Sequence, residues 1–180
     1  MRGARRCGRL SGPTIGLRLV PSTLPGCDRS LLDLSRRAEV QVQYPPTMDV
    51  QEQIEAFLEG DPFAVAGAST NREKYGNKVL RCYLQNGRDA WPMNPRATEI
   101  EGVPCYADFD AMPGVPHGLS VITPPAISEA IVDAAVEMGI AHIWFQPGSE
   151  HEGAIERADA AGVNVIAHGP CLLVALGFRE

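Results

Sequence analysis

The residues with the types and spacing to do chemistry in this chain sit in turns. Gly67-Ala68-Ser69-Thr70-Asn71-Arg72-Glu73-Lys74-Tyr75-Gly76 follows a short apolar run from Phe63 and opens a helical pattern. Strand, glycine break, polar and basic loop, then helix is the order of a phosphate-cradling turn. Backbone N–H groups at a helix start have no partner and carry partial positive charge, so they attract phosphate. Four further turns combine glycine, proline and polar residues: Met93-Asn94-Pro95-Arg96, Thr123-Pro124-Pro125, Gln146-Pro147-Gly148 and His168-Gly169-Pro170-Cys171. Glycine and proline break elements in any fold, so no one turn is specific. Five of them, with Arg72, Lys74 and Arg96 interspersed, point to one cleft.

The second corner narrows the ligand. The first turn lacks Gly-x-Gly-x-x-Gly, and no acid ends the second strand, where a dinucleotide fold grips a ribose diol. Asn94 stands there, with Arg96 two residues on. Replacing a carboxylate by an amide and adding a guanidinium suits a phosphorylated ribose. NADP and coenzyme A both meet that description.

Other chemistry is less well supported. Cys171 at a helix start with His168 three residues earlier could form a thiolate pair or a mixed disulfide with a small thiol; packing at a terminal helix is the plainer expectation. His151 is flanked by Glu150 and Glu152, which would repel a phosphoryl group, so a solvated helix start is expected. Asp108 and Asp110 read as a solvated turn, and no carboxylate pair suggests acid–base work. No catalytic residue is assigned. His117, His142, His151 and His168 show no metal-ligand spacing, so no metal site is expected.

These turns need elements to hold them. Val50, Ile54, Phe57 and Leu58 recur at helical spacing up to Gly60, with Thr47 as the expected cap. Strands are expected at Phe63–Ala68, about Asp89–Met93, Leu119–Thr123, His142–Gln146 and Val163–Ala167. Between them, Val79, Leu80, Tyr83 and Leu84 mark one helix. Ile127, Ile131, Ala134, Ala135 and Met138 mark one face of another, which begins at Pro125 as proline allows. Ala154, Ile155, Ala158 and Ala161 mark a third, and a short helix follows Pro170. Residues 96–117 read as irregular, with an extended piece at Ile100–Tyr106 and one helical turn at Ala107–Met112. This alternation predicts an α/β fold: a Rossmann-like, doubly wound parallel sheet of about five strands with helices on both faces.

Composition bounds the rest. The 180 residues suffice for one domain and an appendage. Residues 1–47 hold eight arginines against Asp28, Asp33 and Glu39, a net +5. Residues 48–180 hold eight basic and nineteen acidic residues, a net −11. An acidic globular part argues against a general nucleic-acid binder. Five cysteines without a Cys-x-x-Cys pair suggest reduced thiols and a cytoplasmic protein. No apolar run reaches the length of a membrane span. Residues 1–47, Arg-rich and aperiodic, are expected to be disordered. An organelle leader and a secretory signal both fit them less well than an extension outside the working protein, with Met48 as the start of a domain over 48–180.

Gly67-Ala68-Ser69 with Gly76, then Asn94-Pro95, Thr123-Pro124-Pro125, Gln146-Pro147-Gly148 and Cys171, resemble the small bacterial CoA-binding domain proteins. That family is similar to the N-terminal CoA-binding domain of the succinyl-CoA synthetase α subunit. The resemblance spans about Ile54 to Leu176. It implies that coenzyme A or an acyl-CoA binds at the strand ends, with Gly67, Ala68, Ser69, Thr70, Arg72, Lys74 and Gly76 by the phosphates or adenosine. It implies Arg96, beside Asn94 and Pro95, near the phosphorylated ribose. Thr123, Pro124, Pro125, Gln146, Pro147 and Gly148 would line the nucleotide and pantetheine path. A small-molecule CoA binder without catalysis of its own is the leading expectation. An NADP-dependent oxidoreductase is the alternative, and a module reporting nucleotide state to a protein partner is a third.

Overall fold

The structure is a computed structural model and describes residues 48–180; the expectations for residues 1–47 lie outside the described residues. The first helix, α1 (Val50–Leu58), is capped by Asp49 instead of Thr47. Asp49 Oδ1 accepts from the Glu52 amide at 2.9 Å, and Glu52 Oε2 accepts from the Asp49 amide at 3.0 Å. This reciprocal box satisfies two helix-end donors at once, which a lone threonine would not do.

Beyond α1 the chain alternates as its pattern predicts: β1 (Phe63–Ala66), α2 (Tyr75–Gln85), β2 (Ala90–Met93), β3 (Glu99–Ile100), β4 (Val103–Pro104), β5 (Gly118–Val121), α3 (Pro125–Met138), β6 (His142–Phe145), α4 (Glu152–Ala160), β7 (Asn164–Ile166) and α5 (Leu172–Ala175). Five strands pair in parallel in the order β2-β1-β5-β6-β7, a Rossmann-like α/β sheet. The direction of winding reverses between β1 and β5, so the turns after these strands flank the switch point, where such sheets bind ligands. Between β2 and β5 the single extended piece expected at 100–106 is an antiparallel hairpin, β3–β4. Glu101 and Gly102 both take positive φ (53° and 80°) at its tip, a backbone state that reverses a chain tightly. The helical turn expected at 107–112 is an isolated turn, with Asp108 Oδ1 accepting from the Ala111 amide.

Each face of the sheet buries its own cluster. On one, α1, α2 and α5 cover Phe57, Phe63, Tyr83 and Trp144, whose rings stack or meet edge-on with centroids 4.7–5.2 Å apart. On the other, α3 and α4 cover Leu119, Val121, Ile143 and Phe145. The buried face of α3 is Ser128, Val132 and Ala135; of the expected stripe, Ala135 is buried, Ile131 and Met138 are partly buried against the core, and Ile127 and Ala134 face outward. Ser128 can be buried because its hydroxyl donates to the Thr123 carbonyl at 2.9 Å. That rotation turns Ile127, 53% exposed, away from the core.

At the sheet's opposite edge, His117 and His142 stack with centroids 4.5 Å apart. Asn164 Nδ2 donates to His142 Nδ1 at 3.0 Å, which requires that nitrogen to be unprotonated. Burial, then the neighbouring His117, hold His142 below its ordinary value of 6.5 against an opposing pull from Glu59. The unfolded chain therefore takes up this proton at higher pH than the folded one. The contribution to stability is complete above about pH 6.5 and declines as pH falls through the folded value. Thermal melts should show Tm falling between about pH 7 and 5, with a shallower slope for His142→Phe. An unchanged slope in that variant would mean His142 carries no linkage.

Candidate functional site

The carboxyl edge of the sheet is built by close backbone contacts. Gly67 leaves β1 with φ 90°, and its amide reaches the Met93 carbonyl at 3.3 Å. Gly76, in the first turn of α2, packs on this turn so closely that an added Cβ would lie 2.1 Å from the Gly67 carbonyl oxygen. Asn94 ties the two turns together: its Nδ2 donates to the Ala68 carbonyl at 2.7 Å, and its Oδ1 accepts from the Arg96 amide at 2.9 Å. Both polar ends of Asn94 are therefore engaged in shaping the corner.

Between these turns and α3 lies a cavity of about 750 Å³. The first turn contributes Gly67, Ala68, Ser69 and Lys74, and the second Met93, Asn94, Pro95 and Arg96. Residues 107–109 and Thr123 add to it, and α3 supplies the exposed Ala126, Ile127, Ala130 and Ala134 with the partly buried Ile131. Lys74 and Arg96 are exposed and, among the described residues, join no ion pair. Asp108 is the acid of the lining, and one of its oxygens is held by the Ala111 amide. The N-caps of α2 and α3, Lys74 and Pro124, make no side-chain cap. The Asn77, Ile127 and Ser128 amides bond to the cap carbonyls and Pro125 has no N–H, which leaves the Tyr75, Gly76 and Ala126 amides to attract an anion. A flat apolar group against α3 with phosphates near Lys74 and Arg96 is the chemistry this lining accepts.

Of the residues singled out from the sequence, Gly67, Ala68, Ser69, Lys74, Asn94, Pro95, Arg96 and Thr123 line the cavity together, while Thr70, Arg72, Gly76, Pro124, Pro125, Gln146, Pro147 and Gly148 do not. Gly76 supports the turn from behind. Arg72 pairs with Glu101 at 3.3 Å. Gln146 is buried; its Oε1 accepts from the Leu172 amide at 2.9 Å and the Tyr75 hydroxyl at 3.3 Å, and its Nε2 has no partner among the described residues. Pro147 and Gly148 are exposed, and the Gly148 amide donates to Glu150.

The histidines turn elsewhere. His168 Nε2 lies 3.1 Å from Glu152 Oε1, and His151 Nδ1 caps α4 by accepting from the Ala154 amide. Cys171, half-buried at the N-cap of α5, neighbours Tyr75 and Cys82. Burial and then Cys171 push the Cys82 thiol up to about 11, which keeps it protonated at neutral pH.

Sequence reasoning missed two contributors. One is the apolar wall of α3, whose signal was a second stripe, Ala126-Ala130-Ala134 beside Ile127-Ile131, on a helix already holding a buried stripe. The other is Asn77, fully buried in α2 and bonded to the Ser69 carbonyl at 2.8 Å.

Fold and cavity define a doubly wound α/β protein with a ligand-sized cleft at the switch point of its sheet. The chain belongs to the CoA binding domain family, whose profile matches residues 61–177. A conserved hypothetical protein from Pyrococcus furiosus is 35% identical, with TM-score 0.61 over 64% of this chain and 99% of that one. A hypothetical protein from Pyrococcus horikoshii OT3 is 26% identical, with TM-score 0.66 over 71% and 89%. A dinucleotide forming acetyl-coenzyme A synthetase 1 from Ca. Korarchaeum cryptofilum, in complex with phosphate and ADP, is 26% identical, with TM-score 0.53. That likeness covers 58% of this chain and 25% of the synthetase. No curated protein matches the chain. Among the described residues no helix is long and apolar enough to cross a membrane.

Proposed function

We propose that the chain binds coenzyme A or an acyl-CoA at the carboxyl edge of its sheet, as a small-molecule binder to which no reaction is assigned. The observation that carries this reading is the pair Lys74 and Arg96, two cations without ion-pair partners among the described residues, on an apolar-walled cavity at the switch point. Membership of the CoA binding domain family supports it, as does likeness to part of an acetyl-coenzyme A synthetase. In this reading adenine lies on Ile127, Ala130 and Ile131, and Arg96 meets the 3′-phosphate. The diphosphate sits on the turn from Ser69 to Lys74, where amides and Lys74 neutralise it. Pantetheine then runs past Thr123–Pro125 towards Gln146–Gly148. The relation to the synthetase α-subunit domain is part of the same proposal.

Calorimetric titration with CoA, acetyl-CoA, dephospho-CoA, NADPH and NADH tests it. CoA should bind best, and loss of the 3′-phosphate should weaken binding by roughly tenfold, the scale of one charge-assisted contact. Arg96→Ala should erase that difference. A preference for NADPH would replace this reading with the oxidoreductase one, and indifference to every CoA species would end it.

A further inference from the structure

Arg72, Lys74 and Arg96 look alike in the sequence, but the structure gives Arg72 different surroundings. Lys74 and Arg96 line the cavity, whereas Arg72 does not. Its Nε lies 3.3 Å from Glu101 Oε1, at the tip of the β3–β4 hairpin. The same carboxylate oxygen accepts from Asn77 Nδ2 at 2.9 Å, and that nitrogen also donates to the Ser69 carbonyl. Asn77 Oδ1 accepts from Arg81 Nε at 2.9 Å, and Arg81 Nη2 donates to the Arg72 carbonyl at 3.2 Å. The loop between β1 and α2 is thus held at the Ser69 carbonyl, the Arg72 carbonyl and the Arg72 guanidinium.

We infer that Glu101, Asn77 and Arg72 form a clasp by which the β3–β4 hairpin holds the Ser69–Lys74 loop in its ligand-receiving shape. Arg72 is then a positioning residue, and Lys74 and Arg96 carry the ligand's charge. Three features support this division. Asn77 is fully buried with both ends of its amide used, so it has one orientation to impose. Glu101 keeps a positive φ that a non-glycine residue adopts at a cost, and this places its carboxylate over the loop. The guanidinium of Arg72 is met by an acid within the fold, while the two cavity cations are not. The role of the clasp in binding rests on the CoA reading; its role in ordering the loop does not.

The sign of one substitution separates a clasp from a competitor. If Arg72 met the ligand and Glu101 merely neutralised it, Glu101→Gln would release a cation and tighten CoA binding. If Glu101 positions the loop, Glu101→Gln should weaken CoA binding roughly three- to tenfold, the scale of a partly exposed ion pair plus a charge-assisted hydrogen bond. Arg72→Met should weaken it similarly, and the double variant should be no worse than either single one. Hydrogen exchange of residues 69–74 without ligand is the second readout: it should quicken in both single variants while the sheet amides stay protected. Tighter binding in Glu101→Gln, or unchanged loop exchange in both variants, overturns the clasp. Faster exchange in a protein whose wild type ignores CoA would uphold the clasp and remove the CoA reading.

Discussion

Replacing Gly76 by alanine is expected to cost about 3 kcal/mol or more of folding stability and to abolish ligand response in what remains folded. The cause is close approach, because Gly76 carries no positive φ. A Cβ there would stand 2.1 Å from the Gly67 carbonyl oxygen, 2.9 Å from its carbon and 3.2 Å from Ala68 Cα. All three are backbone atoms, so no side-chain rotation relieves the clash. Either α2 withdraws from the turn or the turn leaves β1. Withdrawal would pull Tyr75 from Gln146 and Asn77 from the Ser69 carbonyl. Displacing Gly67 would strain a residue at φ 90° against Thr123, whose methyl group and amide already lie 3.2 Å from where a Cβ on Gly67 would be. Gly114→Ala, with nothing within 4 Å of its added carbon, is the control and should be close to neutral. Urea denaturation of both variants measures the difference. A Gly76→Ala protein within about 1 kcal/mol of the wild type would show that the helix and turn are not in contact.

Strand and helix positions were legible because period and punctuation agree. β1, β2, β5, β6 and β7 are short, mostly apolar runs followed within three residues by glycine, proline or asparagine, and Gly139 and Gly162 close helices with positive φ. The misses share a different cause. The hairpin β3–β4 has two residues per strand, too few to display a period, and its turn uses Glu101 at positive φ, where glycine or asparagine would have signalled it. The face of α3 was read only in part, because hydrophobicity was taken as burial: Ile131, Ala135 and Met138 do meet the core. Ser128 is buried by virtue of its hydrogen bonds, which composition cannot show, while Ile127 faces outward. At the candidate site, the turns at Gly67–Ser69 and Asn94–Arg96 could be read because a strand's end fixes where the following residues lie. The separation of Arg72 from Lys74 could not, since it depends on which side of a loop Glu101 approaches. Gln146 likewise reads as a polar turn residue, yet lies buried between Tyr75 and Leu172.

Filling the cavity from α3 should remove the nucleotide half of the site and leave the fold intact. Ala130 is exposed, lines the cavity and sits on the face of α3 opposite the buried Ser128–Val132–Ala135 stripe. A phenyl ring at this position therefore enters open space and displaces no core atom. The cost to the helix is the propensity difference, about 0.5 kcal/mol. The cost to binding is larger, because the ring takes the surface on which adenine would lie. Stacking of a base is worth about 1–3 kcal/mol, so Ala130→Phe should weaken CoA binding roughly 10- to 100-fold. Fragments locate the loss. Adenosine 3′,5′-bisphosphate should lose its binding in Ala130→Phe, while 4′-phosphopantetheine should bind the variant and the wild type alike. Glu137→Phe, an exposed α3 position that does not line the cavity, controls for the added ring and should bind as the wild type does. The opposite pattern, with the pantetheine fragment lost and the nucleotide fragment kept, would reverse the ligand along the edge and bring the acyl end against Ile127 and Ile131. Unchanged binding of both fragments would move the site out of the cavity, towards the turn at Gln146–Gly148 and the half-buried Cys171.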